Sequence, residues 1–327
     1  MSWPTISGLK LAPGLILVTL EGLDQERFVR LLSDLAAECI NLPFLSLQLL
    51  ARPRGRACLC LEASHARRVP ELAPDLNPGL RPVAALTLYP RGEGLELLAA
   101  VQAVLAGQGM APLAVGTSHA AVVVLLDQAQ APAALELLPR ALKLPPHRSP
   151  PTEVIKVVPE GEAACGGMAV VAAYHEHPVR TYGLQTCGGL SLLAAACPGG
   201  ELAPACRSLC NCAGRLPLRF CTTQLGPRRC RWELCLPEAA VQPMREHLAQ
   251  CGLELLAPPR DAGLIHLQGP HFGDRYGIAS LALQALNRAG VRLMALGAVV
   301  HSLFMVLAAG DCASALQALQ ANFCGPE

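Results

Sequence analysis

Hydrophobic and polar positions change their period several times within residues 263–323, and each period predicts a different element. Ile265 and Leu267 alternate with polar neighbours, as the residues of a half-buried strand do. The loop GPHFGDRYG follows, and its three glycines and one proline are typical of a segment without regular structure. Apolar residues at helical spacing then predict an amphipathic helix over 278–289, with Gly290 as the glycine that ends it.

Two strand-like runs and a second helix follow this first pair of elements. Residues 291–297 and 302–308 read as strands joined by a short turn, and Asp311 is the predicted N-cap of a helix that continues to Phe323. The order strand, helix, strand, strand, helix places helices on one face of an antiparallel sheet. One more strand would complete a ferredoxin-like βαββαβ unit, and we expect it to be missing or very short in 323–327.

The loop before the first of these helices carries a resemblance to a known family. Residues 273–279 read Gly-Asp-Arg-Tyr-Gly-Ile-Ala, which resembles the G-D-R-P-G-I/V-A signature of ACT domains. Residues 289–291 resemble the A-G-I-N turn of that family, and 297–307 resemble the strand pair of the ACT domains of aspartate kinases. Tyr276 stands where the family has proline, which loosens the helix start and brings an aromatic ring to the site.

The resemblance implies a binding site for a small free amino acid at a seam between two domains. Carried over residue by residue, Asp274 meets the ammonium group, and Arg275, Tyr276, Gly277 and Ile278 meet the carboxylate. Backbone N–H groups at a helix start also favour an anion on physical grounds. Lysine, threonine and branched-chain amino acids are the expected ligands. In the alternative interpretation, Asp274 caps the helix and the loop binds nothing.

The same order of elements recurs along the chain, so we predict an α+β protein of tandem ferredoxin-like, ACT-type units. The third copy is the most degenerate, and four prolines in 143–154 exclude a helix or a central strand there. We further predict that the first two units pair their sheets, that the last two do the same, and that four helices cover one face of each pair. The predicted units are 1–78, 79–142, 187–260 and 261–327, with 143–186 as a proline-rich linker and insert.

Composition narrows the class of protein. The 26 basic and 25 acidic residues nearly cancel, so no charge excess favours nucleic acid or an anionic membrane as a partner. The stretch 293–310 contains no Asp, Glu, Lys or Arg and is nearly long enough for a membrane-spanning helix, but its strand-like alternation and central His301 argue against a membrane span. We expect no signal peptide, a cytoplasmic location and reduced thiols for the 15 cysteines.

Two clusters of residues in the sequence are candidates for a metal or catalytic site. Cys206, Cys210 and Cys212 lie close in sequence, but they lack the paired C-x2-C spacing of a zinc site, and cysteine as a core residue is the favoured interpretation. His175, Glu176 and His177 have the chemistry for acid–base work or metal binding, but a solvated turn before proline explains them as well. We therefore predict no metal and no cofactor.

The sequence also lacks the phosphate-binding, dinucleotide-binding and H-E-x-x-H motifs, and the K-F-G-G-T-S opening of aspartate-kinase catalytic domains. From these absences we predict that the chain is not an enzyme. The favoured function is a stand-alone regulatory protein that senses an amino acid, acts on a biosynthetic enzyme as partner and forms a homodimer. The alternatives are a structural dimerisation module without ligand, or a degenerate enzyme or zinc protein that uses the cysteine-rich region 187–251.

Overall fold

The computed structural model describes residues 5–49, 55–90, 94–118, 121–142, 144, 178–198, 217–226, 229–269, 272 and 275–325. Their helices are α1 (Gln25–Ala37), α2 (Arg68–Leu72), α3 (Gly94–Gly107), α4 (Ala131–Ala141), α5 (Val241–Gln250), α6 (Ile278–Arg288) and α7 (Cys312–Gln320). Their strands are β1 (Ile6–Leu23), β2 (Phe44–Gln48), β3 (Gly55–Glu62), β4 (Gly79–Pro90), β5 (Ala114–Thr117), β6 (Val122–Asp127), β7 (Val179–Arg180), β8 (Gly183–Pro198), β9 (Phe220–Leu225), β10 (Arg229–Pro237), β11 (Glu254–Leu255), β12 (Arg260–Gln268), β13 (Leu293–Val299), β14 (Ser302–Ala308) and β15 (Phe323–Cys324).

Local sequence signals explain where the helices begin and end. The Asp24 carboxylate accepts a hydrogen bond from Arg27 N–H at 2.8 Å and so caps α1. Gly290 has a φ of 70° just beyond α6, as the periodicity predicted. Asp311, by contrast, makes no capping hydrogen bond to α7, because a 3-10 turn over Ala309–Asp311 leads into that helix and gives Asp311 helical backbone angles. The prediction of an Asp311 cap was therefore wrong.

Among the described residues, thirteen strands form one antiparallel sheet in the order β10-β9-β5-β6-β4-β1-β3-β2-β13-β14-β12-β8-β11. A further pairing joins β8 to β10, so the sheet closes on itself. The sequence prediction of an α+β fold with antiparallel strands is confirmed. The short last strand is confirmed too, since β15 has two residues and pairs with β7.

Both faces of the sheet are buried. In β3, for example, Leu59 points to the helix-covered side while Cys58 and Cys60 belong to the core between the facing parts of the sheet. Alternate residues of one strand therefore enter different cores. This explains a strand such as β3, in which seven consecutive residues are buried and the usual alternation of polar and apolar residues is lost.

The helices cover the sheet in a different pairing from the one predicted. One core combines α1 and α2 with α6 and α7, and a second combines α3 and α4 with α5. The prediction that the helices of the first two units, and those of the last two, share one layer was wrong. The deciding contact is the pairing of β2 with β13, in which Ser46 opposes Gly297. Periodicity tells which residues of a strand face the core, but it does not tell which distant strand lies beside it.

Polar contacts join the two helix-covered halves through the middle of the molecule. Gln224 on β9 donates a hydrogen bond from Nε2 to the Ser46 Oγ of β2 at 2.8 Å. Arg56 on β3 donates from Nη2 to the Leu225 carbonyl at 2.9 Å. All three side chains that take part are buried, so these bonds are shielded from water and fix how the two halves face each other.

The uncharged stretch 293–310 forms β13, a turn and β14, as its alternation predicted. In the part of the chain that the structure describes, no helix has the length and apolar character to cross a membrane. The predicted helix at 202–213, the insert from 155 to 177 and the clusters at Cys206, Cys210, Cys212 and at His175, Glu176, His177 lie outside the described residues.

Candidate ligand-binding site between α1 and α6

The first turn of α6 has backbone N–H groups that are not used in hydrogen bonds within the helix. Gly277 precedes the helix with a φ of 82°, and among the described residues no side chain makes a capping hydrogen bond there. The first bond within the helix runs from Leu281 N–H to the Gly277 carbonyl at 2.8 Å. The N–H groups of Ile278, Ala279 and Ser280 therefore have no acceptor inside the helix. No acidic residue lies in the first turn of the helix itself, where the positive end of the helix dipole favours an anion.

Glycine is required at position 277 for a local reason. A φ of 82° belongs to the left-handed region, in which residues with a Cβ are strained by about 1–2 kcal/mol. A Cβ on Gly277 would also lie 3.4 Å from the Cβ of Ala36 on α1. The start of α6 and the end of α1 therefore lie side by side, with room for a glycine but little more between them.

A cavity of about 50 Å³ lies at this contact. Its walls come from the last turns of α1, the segment 40–43, the first turn of α6 and the turn between β13 and β14. Most of the lining is aliphatic, and Arg275 is the charged side chain among the described lining residues. Together with the helix dipole, this guanidinium gives the cavity a positive potential that favours a carboxylate. The aliphatic lining includes Leu35, Ile40, Leu45, Ile278, Val299 and Leu303.

The turn between β13 and β14 is strained where it borders the cavity. Val300 has a φ of 55°, a conformation that a β-branched residue rarely adopts. Two residues further on, Ser302 also lines the cavity, and its hydroxyl lies 3.1 Å from Nε2 of the buried His266. His266 in turn stacks on Phe304 with ring centroids 4.3 Å apart. Strain of this kind persists only where the surrounding packing holds it, and it is common at ligand sites.

Of the five predicted site residues, the structure brings three into the cavity wall, namely Arg275, Gly277 and Ile278. Tyr276 turns toward α1, where its hydroxyl and the Cys39 thiol form a hydrogen bond that raises the pKa of Tyr276. Asp274 lies outside the described residues.

Sequence reasoning missed the half of the wall that comes from α1 and the segment after it. Ile40, Asn41 and Leu42 border the same cavity although they are far from the G-D-R-Y-G loop in sequence. No local sequence signal points to them, and their correspondence to the segment after α6 is visible only in the structure. Cys39 ends α1 with a φ of 58°, as Gly290 ends α6, and the residue after each of them donates back to its helix. This shared helix ending marks the two segments as equivalent parts of a pair.

The buried cysteines do not form a second site. Within the described ranges, no group of three or more His, Cys, Asp or Glu side chains is placed to hold a metal ion. Burial raises the pKa of Cys58, Cys60, Cys221 and Cys235 to about 12, so these thiols stay protonated at neutral pH. A protonated, buried thiol behaves as a small apolar side chain, so these four cysteines are core residues.

Comparisons with known proteins connect this fold to one group of enzymes. No protein-family model matches the chain, and no curated protein matches its sequence. Among solved structures, the aspartate kinase from Synechocystis matches 98% of this chain with a TM-score of 0.79 at 13% sequence identity. The regulatory subunit of aspartate kinase from Thermus thermophilus matches 42% of this chain with a TM-score of 0.38 at 19% identity, and the match covers 98% of that subunit.

The likeness to the Synechocystis aspartate kinase extends over nearly the whole chain rather than over 263–323 alone. An identity of 13% shows a shared fold. The chain spans 56% of the length of the Synechocystis kinase. The match overturns the prediction that the chain is not an enzyme, because the structure that covers 98% of the chain belongs to an enzyme. That prediction rested on missing motifs, and a missing short motif is weak evidence in a sequence this divergent.

Proposed function

We propose that the chain is an amino-acid-binding regulatory protein of the aspartate-kinase type, and that the cavity between α1 and α6 holds the ligand. The observation that carries the proposal is the uncapped start of α6, which directs N–H groups into a cavity whose charged lining residue is Arg275. In this proposal the four predicted units are tandem ACT-type units, and the site lies at the seam of the first and the fourth. The predicted boundaries at 78, 142, 186 and 260 are part of the same proposal.

The roles of the two ends of the ligand follow from charge. The carboxylate lies against the N–H groups of α6 and the Arg275 guanidinium, each a charge-assisted contact of about 1.5–3 kcal/mol. Gly277 lets the carboxylate approach the backbone, because it has no Cβ. We assign the ammonium group to Asp274 on the strength of the family resemblance. Affinities of mM to µM need about 4–8 kcal/mol, and these contacts with side-chain burial reach that range.

The size of the cavity narrows the ligand further. A volume of about 50 Å³ holds roughly three to five water molecules, since each needs about 10–15 Å³. With an aliphatic lining, this space fits a small aliphatic or hydroxylated amino acid, such as alanine, valine or threonine, better than lysine. Ligand binding at the seam tightens α1 against α6, and a coupling of about 1–3 kcal/mol to a biosynthetic enzyme is enough for regulation.

A calorimetric screen of the twenty amino acids against the purified chain tests this proposal. We expect one or a few small amino acids to bind with Kd between µM and mM, and Gly277→Val to abolish that binding. Gly107→Val is the matched control, because Gly107 has open space around it and no left-handed backbone. Asp274→Ala should weaken binding about tenfold or more, a loss of about 1.4 kcal/mol. Equal binding by the wild type and Gly277→Val would place the ligand elsewhere.

A second candidate function is aspartate kinase activity, and the match of 98% of this chain to a kinase structure is the observation that favours it. The test is an assay of ATP-dependent phosphate transfer to aspartate by the purified chain, with ADP release as readout. Turnover that depends on aspartate would support this candidate. Absence of turnover, with amino-acid binding intact, would leave the regulatory function.

The predicted homodimer is a separate proposal. Both walls of the cavity come from one chain, so the site does not need a second copy, and light scattering tests whether the chain forms a dimer.

A further inference from the structure

The α1–α6 pair has approximate two-fold symmetry. Its centre lies where Ser46 of β2 opposes Gly297 of β13, and the antiparallel register continues evenly on both sides of that pair. On the helix layer, Gln284 of α6 donates from Nε2 to the Ser33 hydroxyl of α1 at 2.9 Å. With this symmetry, any ligand site at the start of α6 has an equivalent at the start of α1.

The equivalent position at α1 is a groove of about 670 Å³. It lies between the start of α1 and the segment that follows α6, which includes Val291 and Leu293. The groove is far larger than the cavity at α6, so lack of space is not what would keep a small ligand out of it.

The side chain of Gln25 bonds to two backbone groups in this groove. Its Nε2 donates to the Val291 carbonyl at 2.9 Å, and its Oε1 accepts from Leu293 N–H at 2.7 Å. A primary amide has one acceptor and two donors, so it satisfies a carbonyl and an N–H at the same time. Both distances are those of well-formed hydrogen bonds.

At the α6 cavity, the corresponding backbone groups are the Ile40 carbonyl and Leu42 N–H, which follow α1 as Val291 and Leu293 follow α6. Within the described part of the chain, neither group forms a hydrogen bond. Tyr276 occupies the position before α6 that matches Gln25, and its hydroxyl bonds to Cys39 instead. Among the described residues, the α6 seam therefore leaves a carbonyl and an N–H without a hydrogen bond, whereas Gln25 bonds to both groups at the α1 seam.

The starts of α1 and α6 also differ in how well they accommodate a carboxylate. The α1 start is capped by the Asp24 carboxylate, and Glu26 adds a second acidic group in the first turn. In the part of the chain that the structure describes, the α6 start has neither a capping side chain nor an acidic residue in its first turn. A free carboxylate is therefore repelled at α1 and attracted at α6.

We propose that Gln25 is a built-in substitute for the ligand at the second seam, so that the α1–α6 pair binds one amino acid and not two. This inference rests on the proposed function, because it takes the α6 cavity as the occupied site. Gln25 takes the two backbone bonds and Asp24 takes the helix start, so a free amino acid finds no unsatisfied partner at α1. The seam at α1 stays closed in a fixed geometry while the seam at α6 responds to ligand.

Calorimetric stoichiometry tests the inference with the full chain and the amino acid from the screen, or with alanine, valine and threonine if none was found. We compare wild type with Gln25→Ala and with Asp24→Gly/Gln25→Ala. Gln242→Ala is the matched control, since Gln242 lies on the exposed first turn of α5. We expect one ligand per chain for the wild type and the control, and two for the double variant. The single variant keeps the helix cap and should show a second site that is at least tenfold weaker than the first.

The outcomes separate this inference from the proposed function. One ligand in every variant, or two in the wild type, would overturn the role of Gln25 and leave the proposed function standing. No ligand in the wild type but one in the double variant would support the role of Gln25 and overturn the α6 site. No binding to any variant would overturn both. Circular dichroism of each variant confirms that a missing site does not reflect an unfolded chain.

Discussion

At the scale of single residues, two left-handed backbone positions shape the candidate site. Gly277 starts α6 without a Cβ, and Val300 turns the chain between β13 and β14. The first was predictable from the sequence, because a glycine before an apolar helical stripe is a recognisable signal. The second was not, because nothing in the residue type valine announces a positive φ. Backbone strain at a β-branched residue is imposed by the surrounding packing, which no local pattern records.

The strain at Val300 leads to a prediction about stability and binding. Val300→Gly should raise the free energy of unfolding by about 0.5–1 kcal/mol, since it relieves about 1–2 kcal/mol of strain and loses part of that to backbone entropy. Because Val300 lines the cavity, the same change should weaken ligand binding. Urea unfolding and calorimetry measure the two effects. A destabilised Val300→Gly variant would show that the turn is not strained.

The buried thiols predict how stability depends on pH. Their pKa is raised by burial from 9 in the unfolded chain to about 12 in Cys58, Cys60, Cys221 and Cys235. Below pH 9 these thiols are protonated in both states, so they contribute no pH dependence. Between pH 9 and 12 only the unfolded state releases the protons, so the free energy of unfolding falls by about 1.4 kcal/mol per pH unit for each thiol.

Urea unfolding in reductant at pH 8, 9, 10 and 11 measures this slope. Cys58→Ala is the comparison, because it removes one thiol from the same core. Above pH 9, we expect the free energy of unfolding of the variant to fall less steeply than that of the wild type, by about 1.4 kcal/mol per pH unit, the contribution of one thiol. Identical slopes in the variant and the wild type would show that Cys58 ionises as readily in the folded chain as in the unfolded one.

At the scale of elements, the sequence predicted what periodicity and caps determine. The stripe of α6, the turn at Gly290 and the alternation of β13 and β14 all appear in the structure. The partner of each element was not predictable in the same way. The β2–β13 pairing joins segments that are far apart in the chain, and no local signal specifies such a contact. For that reason half of the candidate site, the wall from α1 and residues 40–43, was missed.

The shared core of α1 and α6 gives a prediction about packing. Leu286 on α6 is fully buried in the core that it shares with α1, so Leu286→Ala should cost about 2–5 kcal/mol of stability. Leu80→Ala is the matched control, since 46% of the Leu80 side chain is exposed, and it should cost less than about 1 kcal/mol. Urea unfolding followed by circular dichroism measures both. Equal costs would contradict the packing of α6 described above.

At the scale of the whole molecule, one closed sheet carries two helix-covered cores. Strands with both faces buried need apolar residues at every position, which accounts for a hydrophobic content of 52% with only 4% aromatic residues. Leucine, valine and alanine make up most of the buried side chains, and the few aromatic rings, such as Trp232 and Phe220, are buried among them. Composition alone showed the abundance of apolar residues but not that they lie on two faces of the same strands.

The closed sheet predicts that the two helix-covered cores unfold together. Trp232 lies in the core with α3, α4 and α5, while Leu286 lies in the other one. In a Trp3→Phe background, the fluorescence of Trp232 should therefore report the lower urea midpoint of Leu286→Ala, with the same midpoint as circular dichroism. If Trp232 fluorescence kept its wild-type midpoint while circular dichroism shifted, the two halves would be independent.

The most direct test of the central claim is a crystal structure of the chain with the amino acid that calorimetry identifies. We expect its carboxylate within hydrogen-bond distance of the N–H groups at the start of α6, beside Gly277 and Arg275, with its side chain against Ile40 and Leu303. The groove at Gln25 should hold no second molecule. An amino acid bound anywhere other than the seam of α1 and α6 would contradict the account.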